Sequence, residues 1–185
     1  MSLFNFGNSF GTNPYGLATS GLQSRFNSFL EKYPNYMVYA RADRRFPCAL
    51  CLNNDQDPQP LVTCPFCFGL GYKLNLEKHQ TRFYRRSMPD ATPASPMGYL
   101  ANFPATVFTQ QNNFPQKRDL YFEVEWTTPI DLVPAGGQIA SLINAFSIQE
   151  NFAERESSVT FIACGCSPFD FDRAVLENYL LGHPL

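Results

Sequence analysis

Four cysteines in two close pairs, Cys48–Cys51 and Cys64–Cys67, constrain this chain more than any other feature. They stand in FPCALCLNN…TCPFCFGLGY, a CxxC-x12-CxxC pattern. Each CxxC turn puts two sulfurs on one side of a point, because two intervening residues let the chain reverse. A second turn completes the tetrahedron that Zn²⁺ takes, with thiolates at about 2.3 Å. Gly69 and Gly71 then allow the backbone to leave the site with positive φ. The pattern predicts one structural Zn²⁺ held by Cys48, Cys51, Cys64 and Cys67. Four thiolates leave no coordination position for water or substrate, so hydrolysis at the metal is not expected. Four unligated core thiols, or a redox dithiol pair, are the competing readings and account less well for the doubled spacing.

The compartment agrees with metal. The N-terminus, MSLFNFGNSFGTNPYG, has neither a basic n-region nor a continuous apolar h-region, so no secretory signal is read. No stretch approaches the roughly 20 apolar residues of a membrane span. A chain made and kept in a reducing cytoplasm uses paired CxxC motifs for metal rather than for disulfides.

Five segments can be told apart. Residues 1–20 hold Phe4, Phe6, Phe10 and Tyr15 without helical or strand period, and read as an extended arm that docks on a neighbour. Residues 21–35 place Leu22, Phe26, Phe29 and Leu30 on one helical stripe, with Ser20 as a plausible N-cap and Pro34 as the stop. Residues 36–88 form the cysteine module and its basic flank, KLNLEKHQTRFYRRSM. Residues 89–104, with four prolines, form a linker. Residues 105–185 read as a β-rich domain ending in a helix. ATVFTQ, DLYFEVEWT and SVTFIACGC are strands, and in the second Leu120, Phe122, Val124 and Trp126 share one face. IASLINAFSIQ fits either a strand or a short helix and is read as a strand from its neighbours. FDFDRAVLENYLLG is a helix stopped by Gly182 and Pro184. The fold class is α+β, mainly β: a small barrel or sandwich with a four-cysteine module, an N-terminal arm and a C-terminal helix.

Charge is sparse and unevenly placed. Only 16% of residues are charged, where about 25% is usual, so much of the surface is expected to be covered by other subunits. Residues 41–86 hold eight Lys/Arg against four acids, and 87–185 hold four against eleven. Opposite-sign halves suit a head-to-tail assembly. Lys73, Lys78, Arg82, Arg85 and Arg86, interleaved with Phe83 and Tyr84, are candidate contacts to a partner or to nucleic acid. Against nucleic acid stands the net charge of −2. His79, in the same run, is read as a solvated surface histidine. Cys164 and Cys166, two apart on a strand, share one face and read as buried thiols rather than ligands. No nucleophile elbow, Walker loop, HExxH or dinucleotide fingerprint is present, so an enzyme is not expected.

Two resemblances follow from these residues. CPFCFGLGY resembles the CxxCxGxG knuckle of DnaJ-type chaperones over Cys64, Pro65, Cys67, Gly69 and Gly71. The repeats and the His-Pro-Asp of that family are missing, so chaperone function does not follow. The order of an Asn/Gly/Phe-rich arm, a module ending in CPxCxGxGY, a basic EKHQTRFYRR stretch and an aromatic β domain resembles small structural proteins of tailed bacteriophages, with residues 46–86 carrying the motif-like part. That resemblance implies a virion protein of the head–tail connection, made in the host cytoplasm and forming a homo-oligomeric ring. Its partners would be structural proteins on the portal or adaptor side and on the tail side. DNA would pass through a channel faced by the acidic half, and no membrane is involved. The alternative is a zinc-ribbon nucleic-acid-binding protein.

Overall fold

The computed structural model describes residues 24, 27, 28, 30–32, 35–51, 61–85, 103–110, 113–156 and 158–183, with the backbone alone over 152–156 and 158–160. The arm over 1–20, Arg86, and the linker over 89–104 except Phe103 and Pro104 lie outside them. Of the helix expected over 21–35, the described positions from 24 to 32 are helical, and Leu30 is buried.

Six strands follow in chain order: β1 Tyr36–Pro47, β2 Tyr72–Arg85, β3 Ala105–Gln110, β4 Leu120–Trp126, β5 Ile139–Glu156 and β6 Ser158–Pro168. One helical turn, α1 Val133–Gly136, joins β4 to β5, and a longer helix, α2 Arg173–Gly182, follows β6. All strand pairs are antiparallel, in the order β1-β2-β3-β6-β5-β4. β4 pairs back to β1, with Val38 opposite Phe122, so the sheet closes into a barrel.

Alternation of side chains across a closed sheet makes two cores. Inside lie Met37, Tyr39, Val107, Tyr121, Phe146, Ile148, Cys164 and Cys166. Outside, on the wall made by β1, β4 and their neighbours, lie Val38, Ala40, Leu74, Leu120, Phe122 and Val124. α2 covers that wall with Leu176, Tyr179 and Leu180. The helix starts where Asp172 caps it, its Oδ1 accepting from the amides of Ala174 at 2.9 Å and Val175 at 3.4 Å. β1 and β4 are buried on both faces, which is why YMVYA and LYFEV contain so many aromatic and aliphatic residues.

The segment 139–149 is strand, as read, and Cys164 and Cys166 are buried on one face of β6. The expected split between a module at 36–88 and a β domain at 105–185 does not appear in the sheet. β1 and β2 each pair with strands of the second segment, so one barrel draws on both. The run Lys73–Arg85 is a full strand of that barrel, not a flank. His79 is corrected with it: it is buried inside the barrel rather than solvated, because strand alternation turns it inward with Thr81.

Candidate metal centre

The cysteine module is the connection between β1 and β2. Where β1 ends, the Cys48 amide donates to the Gly71 carbonyl at 2.9 Å, tying the start of the module to its end. Two tight turns follow the CxxC pattern. Cys51 N donates to Cys48 O at 3.0 Å, and Phe68 N donates to Cys64 O at 2.9 Å. Leu70 N donates to Cys67 O at 2.9 Å, and Gly69 and Gly71 take φ of 80° and 81°, the region glycine enters without steric cost. Phe68 also has positive φ, at 51°. That backbone turns its ring away from the sulfurs and into the outer core. There it meets Tyr179 at 4.9 Å, Phe171 at 5.1 Å and Phe122 at 6.4 Å, all edge to face. Phe66, two residues earlier, stays exposed.

The four sulfurs converge. All lie within 4.8 Å of one another, with Cys48 and Cys64 at 3.7 Å and Cys51 and Cys67 at 3.5 Å. A tetrahedron with bonds of about 2.3 Å has edges of about 3.8 Å, so the spacing fits a metal bound by four thiolates. All four side chains are buried, and none is in a disulfide. Burial raises the Cys48 and Cys67 thiols. Burial also opposes ionisation of Cys64, but the amides of Phe66 and Cys67 and the neighbouring thiols outweigh it and bring its pKa down to about 7.

The basic residues do not converge. Lys73 and Arg85 stand twelve positions apart on β2, about 40 Å at 3.3 Å per residue. Lys78 Nζ donates to the Val133 carbonyl at 3.0 Å, Arg82 is exposed, and Arg85 pairs with Glu123. Of the described candidates only Lys73 lies beside the cysteines, where with Pro47, Leu50, Phe66, Leu74 and Tyr179 it lines a groove of about 460 Å³.

A second polar cluster, running from the half-exposed Arg41 and Glu77 to the buried His79, Tyr39, Tyr121 and Asp119, escaped the sequence reading. Arg41 forms a two-pronged ion pair with Glu77, at 2.9 and 3.0 Å. Glu77 Oε2 lies 3.1 Å from His79 Nε2, and His79 Nδ1 lies 3.0 Å from the Tyr121 hydroxyl. A neutral His79 thus donates from Nε2 to Glu77 and accepts from Tyr121 at Nδ1. Its ring stacks on Tyr39 at 4.4 Å. Burial holds His79 below its ordinary pKa, against the pull of Glu77. Tyr39 donates to Asp119, whose carboxylate also accepts from the amides of Ala42 and Gln116. The signal that could have found this cluster is the alternation of Glu77, His79, Thr81 and Phe83. The basic and polar character of the run concealed it.

Among the described residues no helix is long and apolar enough to cross a membrane. No protein-family model matches the chain, and no curated protein matches its sequence.

Proposed function

We propose that this chain is a non-catalytic structural subunit of a tailed-phage virion, at the head–tail connection, with one Zn²⁺ held by Cys48, Cys51, Cys64 and Cys67. The observation that carries the reading is a closed four-sulfur centre fastened to a barrel by Phe68, with its outward side left apolar. Phe46, Leu50, Leu61, Val62 and Phe66 are all more than half exposed around it. Exposed apolar side chains in this number on one connection suit an interface. The metal, when bound, supplies cross-linking: it holds in one shape a connection whose large apolar side chains are mostly exposed rather than packed. Phe68 transmits that shape to α2, and the outer residues meet a neighbour. The sparse charge and the resemblance at residues 46–86 supply the setting, a homo-oligomeric ring between the portal or adaptor side and the tail side.

The nucleic-acid reading needs a convergent basic face, and the spread of Lys73, Lys78, Arg82 and Arg85 along one strand lends it no support. Mass spectrometry of purified virions of the encoding phage tests the first reading. It predicts the chain at a stoichiometry of one ring per particle; absence from virions overturns it. Tight, steeply salt-dependent DNA binding, lost on changing Arg82 and Arg85, would favour the second reading instead.

A further inference from the structure

The groove beside the cysteines and the β4–β5 connection lie at opposite ends of the barrel. The cysteine module leaves β1 at Pro47 and enters β2 at Tyr72. The β4–β5 connection is held to the other end of the same two strands: Trp126 Nε1 donates to the Tyr36 carbonyl at 3.0 Å, and Lys78 Nζ to that of Val133. Tyr36 and Pro47 are eleven steps apart, about 36 Å.

Each end carries what the other lacks. At the cysteine end is the apolar groove, with Leu50 and Phe66 on its wall and Lys73 in its lining. Lys73 has no ion pair among the described residues and Arg44 is exposed nearby on β1, while Arg45 is paired with Asp43, the residue opposite Lys73. At the far end is a turn closed by Leu132 N donating to Pro129 O at 2.9 Å. Its Ile130 and Leu132 are 39% and 54% exposed, with exposed Asp131 between them. Asp131 likewise has no ion pair among the described residues, and Glu125 is exposed close by in sequence.

We infer that the Pro129–Leu132 turn of one copy docks in the groove beside the cysteines of the next, with Ile130 and Leu132 against Leu50, Phe66 and Leu74, and Asp131 against Lys73. The inference rests on the reading of the chain as an assembly subunit and names the surfaces that assembly uses. The contact joins two different patches, so it is head-to-tail, and it closes into a ring or extends into a filament according to its angle. Lys73 and Arg44 at the groove and Asp131 and Glu125 at the turn are of opposite sign and orient the approach. The other candidate occupant, the aromatic arm over 1–20, has no charged side chain to meet Lys73.

The test uses the full zinc-supplied chain in sedimentation velocity over a dilution series, with circular dichroism to confirm folding. Leu132→Asp blocks the turn and Phe66→Asp blocks the groove; both sites are exposed, so both variants fold. Each variant should weaken self-association at least about tenfold. Mixed together they should form a one-to-one pair and nothing larger, because one sound turn remains to meet one sound groove. Asp131→Lys should weaken assembly, and adding Lys73→Asp should recover it. Assembly that both blocked variants leave intact overturns the inference. So does a mixture that stays monomeric. Loss of assembly on deleting residues 2–20, with Leu132→Asp assembling normally, would give the groove to the arm. A wild-type chain that is monomeric at every concentration also overturns this contact, while its presence in virions would leave the structural reading standing.

Discussion

Phe68 is where the cysteine module meets the barrel, so its truncation measures how firmly the two are joined. The ring is 3% exposed and touches Phe122, Phe171 and Tyr179. Phe68→Ala removes that buried ring and leaves a void between α2 and the wall, a change that costs about 3–5 kcal/mol in packed cores. Each edge-to-face pairing that disappears with the ring adds about 0.5–1.5 kcal/mol beyond area, which places the expected value in the upper part of that range. Alanine inherits the positive φ, so no backbone strain is relieved. In a chain of this size, each kcal/mol moves the melting temperature by about 2–4 °C, so about 4–5 kcal/mol gives a fall of about 8–20 °C. Phe66→Ala, two residues away at an exposed position, should move it by less than about 2 °C. Scanning calorimetry of both variants with zinc bound is the assay, and zinc content should stay at one per chain in each. A Phe68→Ala melting temperature within about 2 °C of wild type would refute the claim that this ring anchors the module.

Three further outcomes are expected. The purified chain should carry one zinc by elemental analysis, and chelation or Cys64→Ser should open residues 48–71 to protease; less than about half an equivalent of metal in wild type would end the assignment. Burial keeps His79 below its ordinary pKa, so below about pH 6.5 the unfolded chain binds a proton that the folded chain refuses. Stability should then fall with falling pH by up to about 1.4 kcal/mol per unit until the folded pKa is reached. Asp119, raised by burial, acts in the opposite sense in the interval above its unfolded pKa. Urea midpoints of wild type and His79→Gln should therefore diverge between about pH 5 and 7, and parallel curves would contradict the buried placement. At Gly165 a Cβ would run into the Phe103 ring, so Gly165→Ala should cost about 1–3 kcal/mol in urea denaturation, and Phe103→Ala in the same chain should recover part of it.

What could be read from residues alone depended on how local the cause was. Cys48, Cys51, Cys64 and Cys67 were legible because ligand spacing is a local property of the chain. α2 was legible because Ala174, Val175 and Tyr179 step around it within a few turns and Gly182 and Pro184 mark its end. Its start fell four residues later than read, at the residue after the cap. β4 showed its alternation, but Tyr121, on the face opposite Leu120 and Phe122, is fully buried too. Only closure of the sheet, which depends on β4 returning to β1 some 80 residues away in sequence, gives that face an interior. β2 was missed for the same reason. KLNLEKHQTRFYR looks solvated until Arg41, Tyr39 and Tyr121, from two other strands, are present to satisfy Glu77 and His79. The charges were counted correctly but not located, since a strand sends neighbours to opposite sides.

The position of the cysteine module between β1 and β2 bears on the order in which the chain folds. Those two strands form the longest regular hairpin register at the start of the described sheet, yet 24 residues separate Pro47 from Tyr72. Closing so long a loop is entropically slow. An ion captured by Cys48, Cys51, Cys64 and Cys67 would shorten the effective loop to about a third. By loop-closure scaling that removes roughly 1 kcal/mol from the barrier to pairing β1 with β2. The ion would thus act as a nucleation device before it acts as a brace, bringing the first two strands into register while the partners of β2 and β4 are still being found. Refolding in the presence of zinc would run about fivefold faster than without it, and metal supplied only after folding would arrive too late to have that effect.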